Sequence, residues 1–176
     1  MTGHTAQVWG LRAGRVGGVD LAASASGDGT VRLWDLRTGE RLSDPIGGHG
    51  RGAYSVDFAH LGRDVVVAGA GDGRLHFWDP ADGTDVGVEL EPFSSAVRAL
   101  RVADIHGAQV LIAADGYGVV RAWDMNSATW SAELDVGSSV ADVAVGGDRV
   151  CVATYMGAVV LGIHLPGTGK EQGSTS

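Results

Sequence analysis

His4, Ser24 and Asp28 lie close together in the chain and are the ingredients of a nucleophilic triad. In such a site a serine hydroxyl attacks a carbonyl, an imidazole takes its proton, and a carboxylate holds the imidazole in the right tautomer. Triads are recognised by geometry and not by chain order, so the order His, Ser, Asp does not exclude one. The strained G-x-S-x-G elbow that exposes a nucleophile between a strand and a helix is absent.

Other stretches fit known chemistry less well. In "DPADGTD" the acids Asp79, Asp82 and Asp85 stand three apart, whereas an EF-hand loop needs ligands at alternate positions and a bidentate Glu at the twelfth. "GAGDG" (69–73) is followed by no helix, so the dinucleotide reading fails on context. "GTGK" (167–170) lacks the leading glycine of a phosphate loop, and Glu171 stands where a Ser or Thr would hold magnesium. The histidines at 4, 49, 60, 76, 106 and 164 show no metal-ligand spacing, and no metal or cofactor is expected. Cys151, in "RVCVATY", reads as a small hydrophobe in a strand.

The composition narrows the function classes. The chain has 176 residues, long enough for one well-buried core, and 44% are apolar. Its 29 Gly against 4 Pro, with no collagen period, imply many tight turns between short strands. A net charge of −8 without a Lys/Arg-rich run argues against a nucleic-acid partner. A single cysteine excludes an internal disulfide framework. No apolar run approaches the roughly 20 residues that span a bilayer, and the expected location is cytoplasmic.

The elements that must position these residues repeat. "GDGTVRLWDLRTGE", "GDGRLHFWDPADGT" and "GYGVVRAWDMNSAT" align, with Trp34, Trp78 and Trp123 spaced 44 and 45 residues apart. In a fourth copy, "YMGAVVLGIHLPGT", Gly157 aligns with Gly29 and Gly162 falls at the tryptophan position. Upstream, "GHTAQVWGL", "GHGRGAYSV", "PFSSAVRAL" and "VGSSVADVA" also correspond. Period-two alternation within each copy predicts about four short strands per repeat and about fifteen in all. The Asp-Gly pairs at 28–29 and 72–73 predict two-residue hairpin turns with both central residues at positive φ. No helical period occurs, and the chain reads as all-β.

Gly-His, alternating strands, Asp-Gly and Trp-Asp at this period resemble the WD-repeat β-propeller family. The resemblance is close over 3–40 and 48–83 and weakens toward the C-terminus. It implies blades of four antiparallel strands at about 3–46, 47–91, 92–135 and 136–165, with a flexible tail at 166–176. It also implies that His4, Ser24, Asp28 and Trp34 form a structural relay in which a buried hydroxyl, imidazole and indole satisfy one another. His49, Asp72 and Trp78 repeat that relay with Ala68 at the serine position. A triad without its nucleophile is inert, whereas a relay can lose a link and still hold a turn. Phe93, Ala113 and Tyr117, then Val136, Val152 and Met156, replace its members in the last two copies.

The family's partner-contacting positions carry over to Trp9, Tyr54, Arg98 and Ala141 and to Gly27, Gly71, Gly116 and Tyr155, with Tyr117 beside them. Trp, Tyr and Arg dominate interface hot spots. Trp9 and Tyr54 could equally pack between blades. Trp130, seen once, reads as packing at a blade edge and not as a quinoprotein-type docking repeat. The implied function is a non-catalytic scaffold that binds a protein partner. Alternatives are a regulatory propeller of an NTPase or kinase, or a quinoprotein-like enzyme. Neither end offers a closing strand, so an open arc of about four blades is expected. It would be the C-terminal part of a longer propeller, with Met1 an internal position, or an arc that self-associates through its ends.

Overall fold

A computed structural model describes residues 3–47, 51–126 and 129–162. Among these there is no helix. Short alternating runs punctuated by turn residues fold into four antiparallel meanders. The first contains β1 (Val8–Val16), β2 (Val19–Ser26), β3 (Thr30–Asp35) and β4 (Ile46–Gly47). The second contains β5 (Ala53–His60), β6 (Asp64–Ala70) and β7 (Leu75–Trp78). The third contains β8 (Val97–Ile105), β9 (Ala108–Asp115), β10 (Val119–Asp124) and β11 (Thr129–Asp135). The fourth contains β12 (Val140–Gly146), β13 (Arg149–Thr154) and β14 (Gly157–Gly162). In the second sheet the outer strand shrinks to one bridge, Trp78 to Asp85. There the Asp79, Asp82 and Asp85 carboxylates accept the N–H groups of Ala81, Thr84 and Gly87, drawing backbone donors into local turns.

The innermost strands β1, β5, β8 and β12 are neighbours in that order, and all four line one groove. Each sheet therefore has a back face toward the preceding sheet and a front face toward the next. The front face of the first sheet (Ala23, Ala25, Val31, Leu33) buries against the back face of the second (Ala53, Val56, Val66, Ala68, Trp78). Val65, Val67, Leu75 and Phe77 likewise meet Val97, Leu100, Leu111 and Trp123. Val110, Ile112, Val120 and Ala122 meet Val140, Val143, Val150 and Val152. Among the described residues this is an open propeller arc, with no sheet closed on itself.

Two expectations change in detail. The β2–β3 and β6–β7 turns have one left-handed residue each, Gly29 and Gly73, both at φ 82°. Asp28 and Asp72 do not have positive φ. Gly29 donates to the Ser26 carbonyl at 3.1 Å, closing a four-residue turn that a left-handed glycine ends, not the two-residue turn expected. In the fourth sheet Ala153 pairs with Ala158, whereas in the first Ala25 pairs with Val31. The hairpin is one residue shorter, and Leu161, not Gly162, stands at the tryptophan position. Leu161 packs on the core between the third and fourth sheets, which the glycine could not do.

Replacing the fully buried Leu100 by Ala should cost about 2–5 kcal/mol in urea unfolding. The same change at exposed Leu42 should stay within about 0.5 kcal/mol.

Candidate functional site

The triad ingredients do meet. Ser24 is central in β2, His4 lies in the segment entering β1, and Asp28 is in the β2–β3 turn. His4 Nδ1 lies 2.9 Å from Asp28 Oδ2, and His4 Nε2 lies 2.8 Å from Ser24 Oγ. The distances alone would suit a nucleophilic site. A fourth member joins them: the Trp34 indole N–H donates to Ser24 Oγ at 2.8 Å. The network assigns one direction, with indole donating to hydroxyl, hydroxyl to imidazole Nε2, and Nδ1–H to carboxylate. Ser24 and Trp34 are buried, and the hydroxyl's donor is committed to the imidazole.

Asp28 anchors the chain's entry as well as the turn. Its Oδ2 also accepts from Thr5 N–H at 2.9 Å, and its Oδ1 accepts from Thr30 N–H and Oγ1–H at 3.0 and 2.7 Å. Burial alone would raise the Asp28 pKa. The donors from Thr30, Thr5 and His4 outweigh it and hold the carboxyl far below the usual range.

The relay is rewired in the other sheets. His49 lies outside the described residues. Asp72 accepts from Arg74 N–H at 2.9 Å and meets His76 Nε2 at 3.4 Å, and the His76 ring stacks on Trp78. In the third sheet Phe93 meets Trp123 edge-on at 6.0 Å, close to the 6.4 Å edge contact of His4 with Trp34. An apolar ring thus keeps the packing after the polar links are lost. Turn-holding passes to Asp115, two residues before Tyr117, whose Oδ1 accepts from the N–H groups of Tyr117, Gly118 and Val119. Asp115 went unnoticed in the sequence because it falls outside the aligned acid position.

At the other end of the functional question are Trp9, Tyr54, Arg98 and Ala141. All four strands of the groove carry a β-bulge, between Val8 and Gly10, Ala53 and Ser55, Val97 and Ala99, and Val140 and Asp142. The four positions are the extra residues of those bulges, which re-aim a side chain out of the ladder. Trp9 stacks on Tyr54 with centroids 4.3 Å apart and planes 10° apart, and the Arg98 guanidinium lies 4.7 Å over the opposite partner, Tyr54. Gly27 has no side chain because one would run into the Trp9 indole, 2.9 Å from its would-be Cβ. Tyr117 and Tyr155 sit exposed at the tips of strand-to-strand turns and do not line this groove.

The charges below the stack are mostly matched. Arg12 faces Asp57 at 3.7 Å, and Arg101 faces Asp142 at 3.5 Å. Asp57 Oδ2 also accepts from Val102 N–H at 3.0 Å, tying the second sheet to the third. Burial raises the Asp57 pKa despite the Val102 and Phe58 N–H groups and Arg12. Arg98 has no carboxylate within ion-pair reach among the described residues.

The WD40 family model (WD domain, G-beta repeat) matches residues 1–35 and 41–79, the part that holds the complete relay and its first variation. Residues 1–79 carry two WD repeats. The chain is 26% identical over 122 residues to the WD repeat-containing protein RUP1 of Arabidopsis thaliana, covering 69% of this chain and 31% of that protein. It is 31% identical over 143 residues to the nuclear distribution protein nudF of Aspergillus niger, covering 75% and 30%. Mouse coronin-7 is 36% identical over 81 residues, 46% of this chain and 8% of that one. The chain thus spans under a third of these curated relatives. Among solved structures, the computationally designed Ika4 matches with TM-score 0.74 at 24% identity, covering 92% of this chain and 94% of Ika4. Designed Ika8 matches with TM-score 0.72, also at 24% identity, covering 92% of this chain and 47% of Ika8.

Removing the hub of the WD-repeat relay by Ser24→Ala should cost about 1–3 kcal/mol in urea unfolding, because an imidazole and an indole lose their shared buried partner. Because the Asp28 pKa is depressed on folding, its stabilisation is complete above about pH 4 and is lost as pH falls through the folded value. Asp28→Asn should therefore destabilise the chain at pH 7, and its difference from wild type should shrink steadily as pH falls below about 4, without vanishing by pH 2. Chemical denaturation across that range measures it. Asp57, with a raised value, contributes in the opposite sense.

Proposed function

We infer that the chain is a non-catalytic binding module that takes a peptide-like segment of a protein partner at the mouth formed by its bulged strands. The observation that carries this reading is the Trp9–Tyr54–Arg98 stack, contributed by three sheets and open to solvent on one side. A rigid aromatic pair offers contact area at little entropic penalty, and its ring faces suit an apolar or planar group. Arg98 supplies a cation with no carboxylate in ion-pair reach among the described residues, so the favoured partner segment carries an acidic residue beside an apolar one. Burial of Ser24 beneath Trp34 supports binding over hydrolysis.

Selection from a displayed random peptide library on the immobilised chain tests this. Enriched peptides should carry Asp or Glu next to an apolar residue. Their affinity should fall at least tenfold on Arg98→Ala or Tyr54→Ala, with the melting temperature held within a few degrees. Enrichment of peptides indifferent to both changes would reject the mouth as the binding surface.

A further inference from the structure

The end sheets of the described arc each leave one face without a neighbouring sheet, and the two faces are of opposite kind. The first sheet leaves its back face. Leu11 there is 59% exposed, whereas its register equivalents Val56, Leu100 and Val143 are 2%, 1% and 0% exposed. Val8 is likewise exposed, and its equivalents Ala53, Val97 and Val140 are buried. The fourth sheet leaves its front face. Val160, 60% exposed, pairs with Cys151 as Leu33, 1% exposed, pairs with Ala23. Ala153 and Ala158 repeat the pairing of the buried Ala25 and Val31. Apart from Ser24 at the position of Ala68, Ala113 and Val152, each free face thus has apolar residues at the positions that make the three internal contacts.

We propose that two copies of this chain close head to tail, the front face of each fourth sheet covering the back face of the other copy's first sheet. Three instances of this front-to-back contact already exist inside one chain, built from the same register positions. A second copy therefore brings faces already suited to both vacancies. Contacts between unlike faces either close or run on as open polymers, depending on the rotation between subunits. Here the arc spans just under half of Ika8, so two arcs of this curvature account for nearly all of that propeller. The proposal is independent of what the mouth binds, since Leu11 and Val160 lie on the sheet faces and not among the bulge residues.

Light scattering on the purified 176-residue chain tests it. The expected mass is twice the 18.0 kDa of one chain. Leu11→Asp and Val160→Asp, at opposite ends of the arc, should each yield the single-chain mass with an unchanged near-ultraviolet spectrum. Cys151, the only cysteine, lies on the free front face and gives a second readout. Its labelling by a thiol reagent should slow at least tenfold as wild-type chain is concentrated, and Leu11→Asp at the far end should restore the fast rate. A single-chain mass for wild type, an open polymer, or aggregation overturns the proposal. So does a dimer that survives either substitution, which would pair like faces, or a labelling rate that ignores concentration.

Discussion

A sheet of three or four short strands with two apolar faces cannot stand alone in water, and that constraint organises this molecule. Ala, Val, Leu and Ile side chains alternate to both sides of β2, β6 and β9, so each sheet must be covered twice. The solution is repetition, in which every front face finds the next back face and the innermost strands line up along one groove. Stability of such an array approximates a sum of repeat and neighbour terms. The interior sheets are accordingly the best buried, and most of the exposed large apolar residues belong to the first and fourth repeats.

Within that frame the polar relay is a local device. It satisfies groups that the packing would otherwise strand, and it fastens the chain's entry to a turn. Its variation along the chain separates packing from hydrogen bonding. Phe93 preserves the edge-on contact to Trp123 without any polar link, and Asp115 holds its turn from a shifted position. The sheet geometry survives both changes. The relay therefore refines a fold whose existence rests on apolar burial.

Much of this was legible in the residues. Trp34, Trp78 and Trp123 marked the period, and alternation marked the strands. The meeting of His4, Ser24, Asp28 and Trp34 followed from their places in the repeat. Other features depend on geometry that residue types do not encode. The shorter hairpin of the fourth sheet moved Leu161 into the tryptophan position, which counting from Gly157 missed by one residue. The stacking of Trp9 on Tyr54 required knowing that each inner strand bulges at the same point. The shrinking of the second sheet's outer strand to one bridge between Trp78 and Asp85 is not marked by the residue types, which align with those of the first repeat.

Front-to-back burial as the source of stability is tested most directly by native-state hydrogen exchange resolved to individual strands. If the account holds, amides of β6 and β9, whose sheets are covered on both sides, exchange slowest and at one common rate set by global unfolding. Rates that follow each sheet separately, with β6 or β9 opening independently of its neighbours, would contradict it.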